Sequence, residues 1–154
     1  MGRYARKNII YGINPSDEEF KRAARTALVE EFAGSFEKGY ETLLGENACR
    51  ISEGQKQKIA IARALARGPR LLILDEAMSS MDSESEKRIL EGIKENYSGV
   101  TAVVISHRLS ALRYCENVCF VKSKTCVETG TLADFAGKSG EFDALFSGQG
   151  AART

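Results

Sequence analysis

One stretch constrains this chain more than any other: Ile51-Ser-Glu-Gly-Gln-Lys-Gln-Lys-Ile-Ala-Ile-Ala-Arg-Ala-Leu65, followed closely by Arg70-Leu-Leu-Ile-Leu-Asp-Glu76. Ser52 and Gln55 stand three positions apart ahead of an apolar helical period, the pattern of a reciprocal capping box. A helix that opens this way offers unpaired N–H groups and the positive end of its dipole to an anion. Residues 71–74 are all aliphatic with no polar alternation, which predicts a strand covered on both faces in a parallel sheet. That strand runs into two adjacent carboxylates, Asp75 and Glu76. The C-terminal ends of such strands are where open α/β sheets bind ligands. One element therefore offers amides to a phosphate, and the other a metal ligand beside a general base. Together they point to nucleotide hydrolysis.

Other elements follow from local signals. Ser16 and Glu19 form a second capping box, and Phe20, Ala23, Ala24, Ala27 and Leu28 recur at helical spacing behind it. Gly34 and Gly39 loosen the connection that follows. Gly68-Pro69 ends the helix begun at Ser52. Ser83 and Glu86 are expected to cap a third helix, with Ile89, Leu90, Ile93 and Tyr97 as its buried stripe. Residues 101–105 read as another buried strand, completing a right-handed β-α-β crossover. Residues 117–122 and 125–129 suit a pair of strands, residues 141–146 a short closing helix, and residues 148–154 a frayed tail.

With 154 residues, 43% hydrophobic and 28% charged, the chain is expected to be soluble and globular. A net charge of +1 leaves no broad footprint for nucleic acid. The cationic residues Arg50, Lys56, Lys58, Arg63, Arg67 and Arg70 spread around a helix without interleaved aromatics, so they read as solvated surface with some partner or nucleotide contact. Cys49, Cys115, Cys119 and Cys126 form no C-x-x-C pair and share one histidine, so buried, reduced thiols are expected. No apolar run approaches the ~20 residues of a membrane-spanning helix, and the first residues lack the apolar core of a secretory signal.

These motifs carry a family resemblance. Residues 51–55 resemble the signature motif of ATP-binding-cassette (ABC) ATPases, and residues 71–76 resemble their Walker B strand. Ser80-Met81-Asp82 is similar to the D-loop, and Ser106-His107-Arg108 to the switch-histidine segment. Upstream, Thr42-Leu-Leu-Gly-Glu46 resembles the acidic loop of exporter-type members, and Asn8-Ile-Ile-Tyr-Gly12 the opening of their helical subdomain. An ordered series of motifs is far more specific than any one of them. No Gly-x-x-x-x-Gly-Lys-Ser/Thr run occurs. The resemblance therefore implies the C-terminal portion of an exporter-type nucleotide-binding domain, without the Walker A and Q-loop segments.

The implied fold is α/β, a partial P-loop NTPase core with a parallel sheet plus a helical subdomain. Residues 1–66 would be the helical subdomain, 67–147 the C-terminal part of the ATPase core, and 148–154 a flexible tail. The resemblance implies roles for particular residues: Glu76 and His107 catalytic, Asp75 a Mg²⁺ ligand, and Ser52, Glu53, Gly54, Gln55 and Asp82 at the nucleotide. Glu53 replaces the commoner glycine of the motif and is expected to point outward. Asp82 also suits a helix cap. The implied cofactors are ATP and Mg²⁺, and the implied partners a second nucleotide-binding domain and the transmembrane domains of an exporter, at the cytoplasmic face of a membrane, with no nucleic acid. Two further readings are a soluble ABC-type ATPase of DNA repair or translation, and a non-catalytic remnant lending its signature surface to a partner. The isolated chain is expected to be inactive.

Overall fold

The computed structural model describes residues 4–45, 50–122 and 125–135, together with residues 142, 144 and 146. Glu46, Cys49 and the tail from residue 148 lie outside the described residues. The chain separates into two compact units, Met1–Val103 and Val104–Thr154.

The first unit begins with α1 (Ala5–Ile9), α2 (Asp17–Thr26), α3 (Val29–Ala33) and a 3-10 turn at Gly39–Glu41. It continues through α4 (Glu53–Leu65), β1 (Leu71–Asp75) and α5 (Ser83–Asn96) into the start of β2 (Thr101–Ile105). Ser16 caps α2 in a full capping box: its hydroxyl accepts the Glu19 N–H, and the Glu19 carboxylate accepts the Ser16 N–H at 2.7 Å. Phe20, Ala23, Ala24, Ala27 and Leu28 are all buried, as their spacing predicts. Leu28 takes a left-handed backbone (φ 56°) that breaks α2 from α3. Helix α2 packs on α3, α4 and α5, and α1 packs on α4. Where α2 meets α5, a Cβ on Gly92 would come within 3.3 Å of the Thr26 methyl, so the missing side chain sets the spacing.

Helix α4 ends at Leu65 ahead of Gly68, whose φ of 58° suits glycine. Strand β1 pairs with β2, and the Thr101 N–H donates to the Arg70 carbonyl at 2.9 Å. Here the expectation of strands covered on both faces fails. Leu72 and Leu74 are buried, but Leu71 and Ile73 are 55% and 60% exposed, and Val103 is also exposed. An all-aliphatic run reports that both faces suit burial; it does not supply the layer that covers the second face. The α5 stripe of Ile89, Leu90, Ile93 and Tyr97 is buried as predicted. The capping of α5 differs from expectation. Asp82, not Ser83, is the N-cap, and Glu86 is buried in the unit.

The second unit holds α6 (Leu109–Leu112), an antiparallel hairpin of β3 (Val118–Lys122) and β4 (Thr125–Gly130), and α7 (Leu132–Phe135). The hairpin register shifts between Phe120 and Val121. Its core is Leu112, Val118, Phe135, Phe142 and Phe146, and Phe142 and Phe146 are helical as the closing segment predicts. Cys119 is exposed and Cys115 half-buried, both free thiols, which corrects the expectation of buried cysteines. Burial raises the Cys115 thiol pKa.

Candidate functional site

Ser52 sets the tip of α4. Its hydroxyl accepts the Gln55 N–H at 3.2 Å, and the Gln55 side-chain carbonyl accepts the Ser52 N–H at 2.9 Å. The first helical hydrogen bond runs from the Lys56 N–H to the Ser52 carbonyl at 3.0 Å. Helix geometry leaves the amides of Glu53 and Gly54 outside that ladder, at the positive end of the dipole. Ser52 is exposed. Glu53 is also exposed, and its carboxylate pairs with Lys56 at 3.0 Å, so its charge is balanced on the helix's own surface.

Asp75 ends β1 exposed to solvent, and Glu76 follows it half-buried. Glu76 holds a left-handed backbone with φ 46°. A residue with a Cβ in that region costs about 1–3 kcal/mol, held only where surrounding structure enforces it. The Glu76 carbonyl accepts the Ser79 N–H at 3.1 Å, closing a turn. Met78 and Met81 anchor the same segment in the core at 3% and 5% exposure. Asp82 then caps α5, accepting the Ser85 N–H and the Ser85 hydroxyl, each at 2.8 Å. Those two hydrogen bonds lower the Asp82 pKa below its ordinary value.

The structure brings the α4 tip and this turn together. A Cβ on Gly54 would lie 2.9 Å from the Ser80 carbonyl oxygen, so the position admits only glycine at the present spacing. Gln57, one turn along α4, reaches the same segment. Its side-chain carbonyl accepts the Ser80 N–H at 3.1 Å, and its amide donates to the Ser79 hydroxyl at 3.1 Å and the Ser80 hydroxyl at 3.4 Å. Sequence reasoning passed over Gln57, because polar partners more than twenty positions apart leave no local signature.

It also missed what three of the cations hold. Arg63 donates through Nε to the Asn8 carbonyl at 2.5 Å, and Arg67 donates to the Tyr11 carbonyl at 2.6 Å. Lys58 lies against Ser85 and Glu31 at 3.3 and 3.8 Å. These side chains brace the first unit internally and are not merely solvated. His107 belongs to the second unit, exposed in the short connection between β2 and α6, where the Arg108 N–H donates to the Ser106 hydroxyl at 3.0 Å.

Residues 5–79 match the ABC transporter family. The chain belongs to that family. Its relatives include multidrug resistance protein pgp-1 of Caenorhabditis elegans, 40% identical over 88% of this chain and 10% of the relative. An ATP-dependent lipid A-core flippase of Alkalilimnicola ehrlichii is 41% identical over 90% of the chain and 24% of its own length. A solved bacterial Atm1-family ABC exporter with ATP bound overlays 97% of the chain at a TM-score of 0.86 and 30% identity, over 26% of that exporter. The α/β ABC fold is therefore established, and the chain spans about a tenth to a quarter of the length of the relatives it matches.

Proposed function

We propose that this chain supplies the signature tip and the acid pair of an ATP-hydrolysing nucleotide-binding domain in an ABC exporter. The observation that carries the reading is the joining, within one unit, of a solvent-facing α4 tip to the turn that follows Asp75 and Glu76. Support comes from relatives whose names describe a flippase, a multidrug resistance protein and an exporter with ATP bound.

On this reading Ser52, Glu53, Gly54 and Gln55 present the helix N-terminus to the γ-phosphate of ATP held by a second nucleotide-binding domain. Glu76 orients the attacking water and takes its proton as the bond to the leaving ADP oxygen breaks. His107 orients the same water, and Asp82 faces the partner across the pair. Among the described residues no group of three His, Cys, Asp or Glu side chains could hold a metal by itself. One exposed carboxylate, Asp75, together with phosphate oxygens and water is the donor set Mg²⁺ favours. When bound, Mg²⁺ neutralises charge on the phosphates. No helix among the described residues is long and apolar enough to cross a membrane. Attachment to the cytoplasmic face would then come through the exporter's transmembrane domains.

The test mixes the chain with a complete exporter nucleotide-binding domain whose catalytic glutamate is replaced by glutamine. Sedimentation velocity is expected to show a hetero-pair with Mg-ATP and none with Mg-ADP. Pairing indifferent to the nucleotide would overturn the reading. No phosphate-cradling Gly-x-x-x-x-Gly-Lys-Ser/Thr run lies in the sequence, so the chain alone is expected neither to hydrolyse Mg-ATP nor to bind it tightly by calorimetry. In a second reading the chain only lends its tip to a complete partner. Joining it to a loop-bearing segment and finding no turnover would select that second reading.

A further inference from the structure

Three contacts hold the segment after β1 against α4, and they converge on one side chain outside every motif. Gln57 takes the Ser80 N–H on its carbonyl and gives its amide hydrogens to the Ser79 and Ser80 hydroxyls. One turn N-terminal to it, Gly54 lets the Ser80 carbonyl approach closer than any side chain would allow. The Ser79 amide is in turn bound to the Glu76 carbonyl at 3.1 Å, closing the turn in which Glu76 keeps its left-handed backbone. A continuous chain of hydrogen bonds thus runs from the signature helix through Gln57, Ser80 and Ser79 to Glu76.

We propose that Gln57 is a positioning residue: it ties the turn carrying Glu76 to the signature helix, so that a shift of the helix tip reaches the glutamate. The functional weight of the tie rests on the reading above, in which the tip attends the partner's nucleotide and Glu76 orients the attacking water. Gln57 then makes the helix tip and Glu76 answer to one movement. The physical argument is economy of contact. Met78 and Met81 fix how deep the turn sits, but apolar contact is non-directional. A side chain that both accepts and donates fixes the turn's rotation as well.

Hydrogen exchange on the whole 154-residue chain, without nucleotide, tests the tie. Gln57→Ala keeps helix propensity high and removes all three contacts. Its Ser80 and Ser79 amides are expected to exchange at least about tenfold faster through local opening. The Gln55 and Ser85 amides, held by Ser52 and Asp82, are the controls for general loosening. Gln57→Glu is expected to restore protection, because a carboxylate accepts the Ser80 N–H while both serine hydroxyls rotate to donate to it. Unchanged Ser80 exchange in Gln57→Ala, equal acceleration of the control amides, or a glutamate variant as open as the alanine one would each overturn the tie. The ATP-dependent pairing of the unaltered chain is read separately. Its failure would overturn the functional reading and leave the tie standing.

Discussion

Helix α4 and strand β1 are near neighbours in the sequence, yet they complete their surfaces in opposite ways. The helix buries Ile59, Ile61, Ala62 and Leu65, caps its tip through Ser52 and Gln55, and spends Gln57, Lys58, Arg63 and Arg67 on contacts with distant segments. The strand buries Leu72 and Leu74 and leaves Leu71 and Ile73 in solvent. A helix can be finished by residues of its own unit, whereas each face of a sheet needs a separate layer. The contrast teaches that this chain carries a complete signature element and a sheet with one bare apolar side.

Substitutions can break or sharpen that contrast. Leu74→Ala, on the covered face of β1, is expected to lose about 2–5 kcal/mol in equilibrium urea unfolding. Ile73→Ala, one residue away on the bare face, is expected to change stability by no more than about 0.5 kcal/mol. Equal losses at the two positions would mean that the second face is covered in solution. Next in size, Gly54→Ala forces a Cβ into the Ser80 carbonyl and should cost about 1–3 kcal/mol. The same variant should lose ATP-dependent pairing with the partner domain, because α4 has to shift against the turn.

Arg63→Ala removes the donor that meets the buried Asn8, and leaving that carbonyl without its charged partner should cost about 1–3 kcal/mol by the same urea measurement. Ser52→Ala removes one cap and should cost about 1 kcal/mol. The smallest effect is in pH. Asp82 and Glu19 have pKa values lowered by the hydrogen bonds they accept at their helix starts. A lowered folded-state pKa contributes stability that is fully present above the ordinary carboxylate range and is lost as pH falls through the folded value. Asp82→Asn should therefore flatten the fall in thermal midpoint below the ordinary aspartate value of 3.8. An unaltered acid limb in that variant would count against the cap.

Much of this protein was legible before any coordinates. The starts of α2 and α4 follow from Ser16 with Glu19 and Ser52 with Gln55, because a capping box is closed by residues three apart. The buried faces of α2 and α5 follow from periodicity alone. Asp82 carried a local clue to its role as a cap, and Ser83 with Glu86 offered a rival pair. Burial of Glu86 shows why spacing can mislead: the same i, i+3 pattern serves a cap or a packed face.

By itself, then, the sequence determined where helices begin, which of their faces are apolar, and that a twin-acid strand follows a capped tip. Those are short-range matters, decided by groups a few bonds apart. Only the tertiary structure decided that Gln57 grips Ser79 and Ser80, that Arg63 and Arg67 hold the Asn8 and Tyr11 carbonyls, and that one side of β1 stands open. The physical reason is separation along the chain. Contacts between residues 22 to 56 positions apart depend on how whole elements pack, and no local pattern records that.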